Sequence, residues 1–192
     1  MTADEWIHQA PPPEALTGDE AFIGLDARVR DFWSYALRDL RSNTTRGILA
    51  EWFVARAVGA TQLLDDWNEY DVVTPSGLTV ECKSSAYLQA WDQRTHSTIT
   101  FGGLKAKRWT PQHGYADEKT FNADVYVFCL QTARNHEDYD PLDVNQWRFY
   151  VLSRSTVSRL GFESLSLKRV EAEASALHYA ELAPAIAAAG SR

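Results

Sequence analysis

Apolar and polar positions alternate along the chain in ways that divide it into strand-like and helix-like stretches. Over residues 70–83, two β-rich runs flank Pro75-Ser76-Gly77. A three-residue loop ending in glycine is a favoured hairpin connection, a type I turn followed by a left-handed glycine. Closing that loop predicts Thr74 opposite Leu78 and, in the same register, Asp71 opposite Glu81. Leu78, Val80 and Cys82 then point to one face, and Thr79, Glu81 and Lys83 to the other. Upstream, residues 43–59 predict a helix that Asn43 or a neighbouring threonine caps and Gly59 ends. Ile48, Glu51, Val54, Ala55 and Val58 form one stripe on it. Residues 27–41 predict an amphipathic packing helix with Phe32, Tyr35, Ala36 and Leu40 as its apolar stripe, and 61–68 a short first strand. Downstream, Ser97–Phe101 alternates as a strand does. Asp124–Gln131 is nearly all apolar, as expected of a strand buried on both faces. Trp147–Leu152 predicts another strand. Ser153 or Ser155 can cap a short helix that Gly161 stops. The alanine-rich tail from Glu171 reads as helix broken by Pro184, with a packing role or none. The pattern is that of one α/β domain over residues 27–192, preceded by a loosely ordered arm over 1–26. Trp6, Ile7, Phe22, Ile23 and Leu25 of the arm can dock on the body or on a second subunit.

Composition adds limits. The chain has 192 residues and 45% hydrophobic content, enough for one core. No apolar run is long enough to span a membrane, and the acidic N-terminus does not read as a signal peptide. Cys82 and Cys129 both fall in predicted strands without metal-ligand spacing, which suits buried thiols in a reducing cytoplasm. The net charge of −7 argues against binding nucleic acid by bulk electrostatics. One stretch departs from that balance. Arg94, His96, Lys105, Lys107, Arg108 and His113 interleave with Trp91, Phe101, Trp109 and Tyr115. Basic side chains contact phosphates and aromatic rings stack bases, so Arg94, Lys105, Lys107 and Arg108 are candidate nucleic-acid-binding residues. The alternative is a solvated helix from Leu104 to Trp109. His136-Glu137-Asp138-Tyr139-Asp140 does not match a calcium loop and reads as a solvated turn.

The candidate chemistry sits on the hairpin. Directly opposed residues lie about 4.5–5.5 Å apart at Cβ, and like charges there are destabilising. A divalent cation would neutralise Asp71 and Glu81, with Lys83 beside them. Glu51 is a carboxylate within an apolar stripe and needs a partner or a metal; Gly47 and Ala55 leave room next to it. The plainer alternative is an exposed hairpin whose Glu81–Lys83 ion pair contributes roughly 0–1 kcal/mol, with Glu51 at the stripe's edge, reaching water or pairing with Arg46 or Arg56.

A helix Glu, then Asp71, then Glu81-Cys82-Lys83 resembles the PD-(D/E)XK nuclease superfamily, in element order over about residues 43–131. Tyr70 stands where the family names a proline. Gln89 resembles the glutamine that some members place shortly after the lysine. The resemblance implies a restriction-endonuclease-like αβββαβ core, a mixed β-sheet flanked by helices. It implies Mg²⁺, with Mn²⁺ as substitute, held by Asp71, Glu81 and the Cys82 carbonyl, and Glu51 binding a second ion or orienting a water. Lys83 would position the attacking water and Gln89 would orient the nucleophile or touch substrate. The expected function is a cytoplasmic, metal-dependent nuclease hydrolysing phosphodiester bonds, with DNA favoured over RNA and a homodimer or partner protein possible. Two other readings stand beside it. One is a catalytically silent nuclease-fold module that binds nucleic acid or a protein; the other is an unrelated α/β domain with a chance motif.

Overall fold

The computed structural model describes residues 14–61, 69–110 and 113–191. In chain order the strands are β1 (Val72–Val73), β2 (Thr79–Ala86), β3 (Thr100–Phe101), β4 (Ala106–Thr110), β5 (Gly114–Thr120), β6 (Val125–Gln131), β7 (Trp147–Ser153) and β8 (Leu165–Ser166). The helices are α1 (Val29–Ala36), α2 (Asn43–Val58), α3 (Arg154–Leu160), α4 (Leu167–Glu171) and α5 (Leu182–Gly190). A four-stranded sheet in the order β1-β2-β6-β7 is the centre. β1 and β2 are antiparallel, β2 and β6 parallel, β6 and β7 antiparallel. Every residue of β6 is buried, as its unbroken apolar run requires of a strand covered on both faces.

Alternation along the strands sends side chains into two cores. Val80, Cys82, Val125, Val127, Cys129 and Phe149 pack against Ala50, Phe53 and Val54 of α2 and Leu182 and Ile186 of α5. Tyr126, Phe128, Leu130, Tyr150 and Leu152 face the other way, onto Ile99, Phe101 and Leu104 and onto Val157, Leu165 and Val170. The result is a mixed α/β fold, a mixed sheet flanked by helices with no barrel. The crossover from β2 to β6 carries β3 and the separate β4–β5 hairpin. Among the described residues no helix is long and apolar enough to cross a membrane.

Several expectations hold. The hairpin pairs Val72 with Val80 and Val73 with Thr79. Thr74 N–H donates to Leu78 O at 2.9 Å, and Gly77 has φ +87°. Ser153 caps α3 by accepting from Thr156 N–H, and left-handed Gly161 ends it. Others need correction. Ser42, not Asn43, caps α2. The strand expected over Ser97–Phe101 shrinks to Thr100–Phe101. Leu104–Trp109 is not a helix: β4 pairs with β5, Trp109 opposite Tyr115. Pro184 does not break the tail, because it lies in the first turn of α5, where its missing N–H has no helical partner to lose. α1 is not a packing helix. Phe32 and Tyr35 are 54% and 83% exposed. Its backbone is tied instead to the preceding segment, Val29 N–H to Glu20 O and Arg30 N–H to Gly18 O. Val54, Ala55 and Val58 of the predicted stripe do pack on the core, but the most buried face of α2 runs through Arg46, Ala50, Phe53 and Val54, and Glu51 flanks it. The strand expected at 61–68, past residue 61, and Trp6 and Ile7 of the arm lie outside the described residues.

Candidate active site

The first carboxylate is placed by the hairpin itself. Asp71 comes just before β1, one register step beyond the Val72–Val80 pair. Its N–H donates to Val80 O at 3.0 Å, and its Oδ2 accepts the Cys82 N–H at 2.6 Å. Across from it, Glu81 and Lys83 share the second face of β2, and Lys83 Nζ lies 2.5 Å from Glu81 Oε1. Side-chain exposure is only 15% for Glu81 and 25% for Lys83, so this is not the exposed surface pair of the plainer reading. Gly103, in a left-handed conformation at φ +70°, brings backbone up to Lys83: a Cβ there would sit 4.0 Å from Lys83 Cε.

Burial sets the electrostatics. It pushes Glu81 up to about 7; Asp71 adds to the rise and Lys83 opposes it. Burial also raises Asp71, against the pull of Lys83 and the Cys82 N–H. At Lys83 burial works against the ammonium, but Glu81 and Asp71 outweigh it and the pKa is raised. Asp71 and Glu81 are thus two reluctant carboxylates that act on one another across the hairpin. Among the described residues no group of three or more His, Cys, Asp and Glu side chains is arranged to hold a metal. The thiols of Cys82 and Cys129 are both pushed well up by burial, which leaves them inert.

Glu51 acts from the helix side of the sheet. Its charge, like that of Asp71, acts on both Cys82 and Cys129. Cys82 faces α2 while Glu81 and Lys83 face away from it. Gln89 belongs to a different set of contacts. It is buried, and its Nε2 donates to Ala86 O and Ser97 Oγ, both at 3.0 Å. Its Oε1 accepts from Arg46 at 3.4 Å. Arg46 is the residue that sequence reasoning treated only as a partner for Glu51. The readable signal was its spacing: Arg46, Ala50, Phe53 and Val54 share the helical face that is in fact buried.

The four basic candidates are spread out. Arg94 is exposed beside Asp92, His96 and His136. Lys105 Nζ stands 5.0 Å from the centre of the Phe121 ring. Lys107 is exposed on β4 and opposite Lys119. Arg108 pairs with Glu69 at 2.8 Å.

The family model for bacteriophage T4 endonuclease IV matches residues 29–169. That span runs from the start of α1 into α4 and takes in Glu51, Asp71, Glu81, Lys83 and Gln89. No curated protein matches the chain. With almost three quarters of its length under the match, the chain belongs to the bacteriophage T4 endonuclease IV family, a family of nucleases.

Proposed function

We propose that the chain is a metal-dependent nuclease that hydrolyses phosphodiester bonds in DNA, with Asp71, Glu81 and Lys83 as its working residues. The observation that carries the proposal is the convergence of two buried, charge-reluctant carboxylates and an ammonium on one hairpin. The arrangement is of the PD-(D/E)XK kind, and the family's endonuclease name supports DNA as substrate.

The donor set suits Mg²⁺, or Mn²⁺ in its place. Magnesium is commonly held by one or two carboxylates together with substrate phosphate oxygens, which needs no preformed cage of three side chains. Asp71 and Glu81 would hold it, with the Cys82 carbonyl as a third oxygen. When bound, the cation supplies charge stabilisation at the phosphoryl group and a more acidic water. The protein supplies the rest. Lys83, held by Glu81, positions the attacking water and donates to a phosphoryl oxygen as negative charge builds there. Water oxygen bonds to phosphorus and gives up a proton to solvent, the bond to the leaving oxygen breaks, and that oxygen takes up a proton from solvent. Glu51, on the helix side, orients water at the site. The exposed β4–β5 ribbon, with Lys107 and the Trp109–Tyr115 pair, contacts phosphates and stacks bases.

The test is cleavage of labelled single- and double-stranded DNA and RNA by the protein and its Lys83→Ala variant, with Mg²⁺, Mn²⁺ or chelator. DNA cleavage that needs metal and disappears in the variant is expected. Cleavage that persists in chelator or in the variant overturns the mechanism. Binding of DNA without any cleavage would instead mark a silent nuclease-fold module.

A further inference from the structure

A polar cleft of about 410 Å³ lies at the N-terminal turn of α2, lined by Asn43, Arg46, Ser84, Gln89, Ser97 and Thr100 among others. Of the described residues that line it, Arg46 alone is charged. Arg46 is 4% exposed, and burial lowers its pKa. No carboxylate pairs with it among the described ion pairs. Its partners are neutral: NH1 donates to Arg41 O at 3.0 Å and Gln89 Oε1 at 3.4 Å, and NH2 donates to Asn43 Oδ1 at 2.6 Å. A buried charge left without a counter-charge is costly and rarely kept without reason.

The unused part of the guanidinium is informative. A guanidinium has five N–H groups in a fixed planar fork. Three bonds engage NH1 fully and NH2 once. What remains is one N–H of NH2 and the Nε–H, which is buried and unpartnered. The Nε–H lies on the side edge of the fork, where a guanidinium can meet a phosphate oxygen. Gln89 and Asn43 hold the fork in place, and Ser97 fixes the Gln89 amide in turn. The first turn of the 16-residue α2 adds its partial positive charge.

We propose that this cleft binds a backbone phosphodiester close to the scissile one, with Arg46 as the anchor. This rests on the nuclease reading above. Ser85, which also lines the cleft, lies two residues past Lys83 on the same face of β2, so the cleft reaches that face about 13 Å along the strand from Glu81 at roughly 3.3 Å per residue. A single strand crossing the carboxylate site would lay a nearby phosphate on it. The division of labour is then clear: the acidic hairpin works on one phosphate, and the buried arginine holds another in a chain that is acidic overall.

The experiment is a binding titration in chelator, where no cleavage occurs, with a short fluorescent single-stranded oligodeoxynucleotide. Arg46→Gln is expected to weaken binding on the order of tenfold to a hundredfold and to flatten the log–log salt dependence by about 0.7. Arg46→Lys keeps the charge and loses the fork; it should keep the salt slope but not the affinity. A set of oligonucleotides with one neutral methylphosphonate each is read on the unaltered protein, so a variant that fails to fold does not end the test. One linkage should cost the same loss, and Arg46→Gln should be blind to that linkage while Lys83→Ala still senses it. Equal affinity and slope in Arg46→Gln, or a flat methylphosphonate scan, overturns the inference. Absence of cleavage with metal, alongside Arg46-dependent binding, would overturn the nuclease reading and leave the phosphate site standing.

Discussion

In the β1–β2 hairpin Asp71 stands opposite Glu81; in the β4–β5 hairpin Lys107 stands opposite Lys119. Both place like charges across a strand pair, where repulsion is strongest. The acidic pair is buried, and among the described residues its ionic relief is Lys83 at 2.5 Å from Glu81. Burial and mutual repulsion therefore raise Glu81 to about 7. The basic pair is exposed to water, and Lys119 also reaches Glu163 at 3.5 Å. Water and salt screen what is left. The same local geometry thus becomes a strongly perturbed, proton-holding site where it is buried, and a mild surface feature where it is not.

The largest effect should come from the buried pair. Asp71→Asn removes one of the two carboxylates and should lower cleavage by on the order of 10²–10³-fold or more, while Lys107→Ala lowers only the affinity for DNA. Single-turnover rates at saturating DNA separate the two. A normal rate in Asp71→Asn would remove the hairpin from the chemistry.

The next effect is a pH dependence of stability without metal. Glu81 is raised from 4.5 to about 7, chiefly by burial. The folded state therefore holds that proton more tightly than the unfolded chain does. The resulting stabilisation is fully present below about pH 4.5 and is lost as pH rises through about 7. Denaturant melts in chelator should lose about 2–3 kcal/mol between pH 5 and pH 8 from this group. Glu81→Gln should remove that loss. Added Mg²⁺ should raise the melting temperature more at pH 8 than at pH 6, because the cation competes with the proton. A wild-type profile identical to that of Glu81→Gln would show that the carboxylate is solvated after all.

How much of this was legible beforehand follows from how local each feature is. The hairpin register was readable, because turn chemistry and a period of two fix it within fourteen residues. So was β6, whose apolar run admits only a doubly covered strand. The full buried face of α2 was not. Val54 and Val58 were readable as core-facing, but only the packing against Val80, Cys82 and α5 shows that the buried face extends through Ala50 and Phe53 rather than through Ile48 and Glu51. Arg46 was hidden for the same reason: an arginine reads as solvated until the fold buries it. α1 failed the other way, since an amphipathic pattern says that a face is apolar, not that anything covers it. β4 was missed as a strand because its partner, β5, lies across a turn and its charges also fit a solvated helix.

Gly77 sharpens the comparison from the backbone side. It sits at φ +87° with nothing within 4 Å of a Cβ placed there. Gly77→Ala therefore tests left-handed strain alone, and it should cost about 1–2 kcal/mol in a chemical melt. The register, and with it the Asp71–Glu81 juxtaposition, should survive. A larger loss accompanied by lost cleavage would mean that the turn, not the sheet beyond it, holds the two carboxylates together.

The smallest stability effect should come from Lys107→Glu, which tells most about the exposed hairpin. The change turns a like-charged cross-strand pair with Lys119 into an opposite-charged one. Cross-strand pairs of that kind contribute roughly 0.2–1 kcal/mol, so the melting temperature should stay level or rise slightly. Binding should move in the opposite direction. If the ribbon lies on the phosphate backbone, reversing one charge weakens single-stranded DNA binding and flattens its log–log salt dependence by at least about 0.7. Stability and affinity then part company at one residue, which a merely structural ribbon would not produce. A variant that is as tight as wild type would confine nucleic-acid contact to the sheet and the Arg46 cleft, and would leave the Lys107–Lys119 opposition as nothing more than a tolerated surface pair.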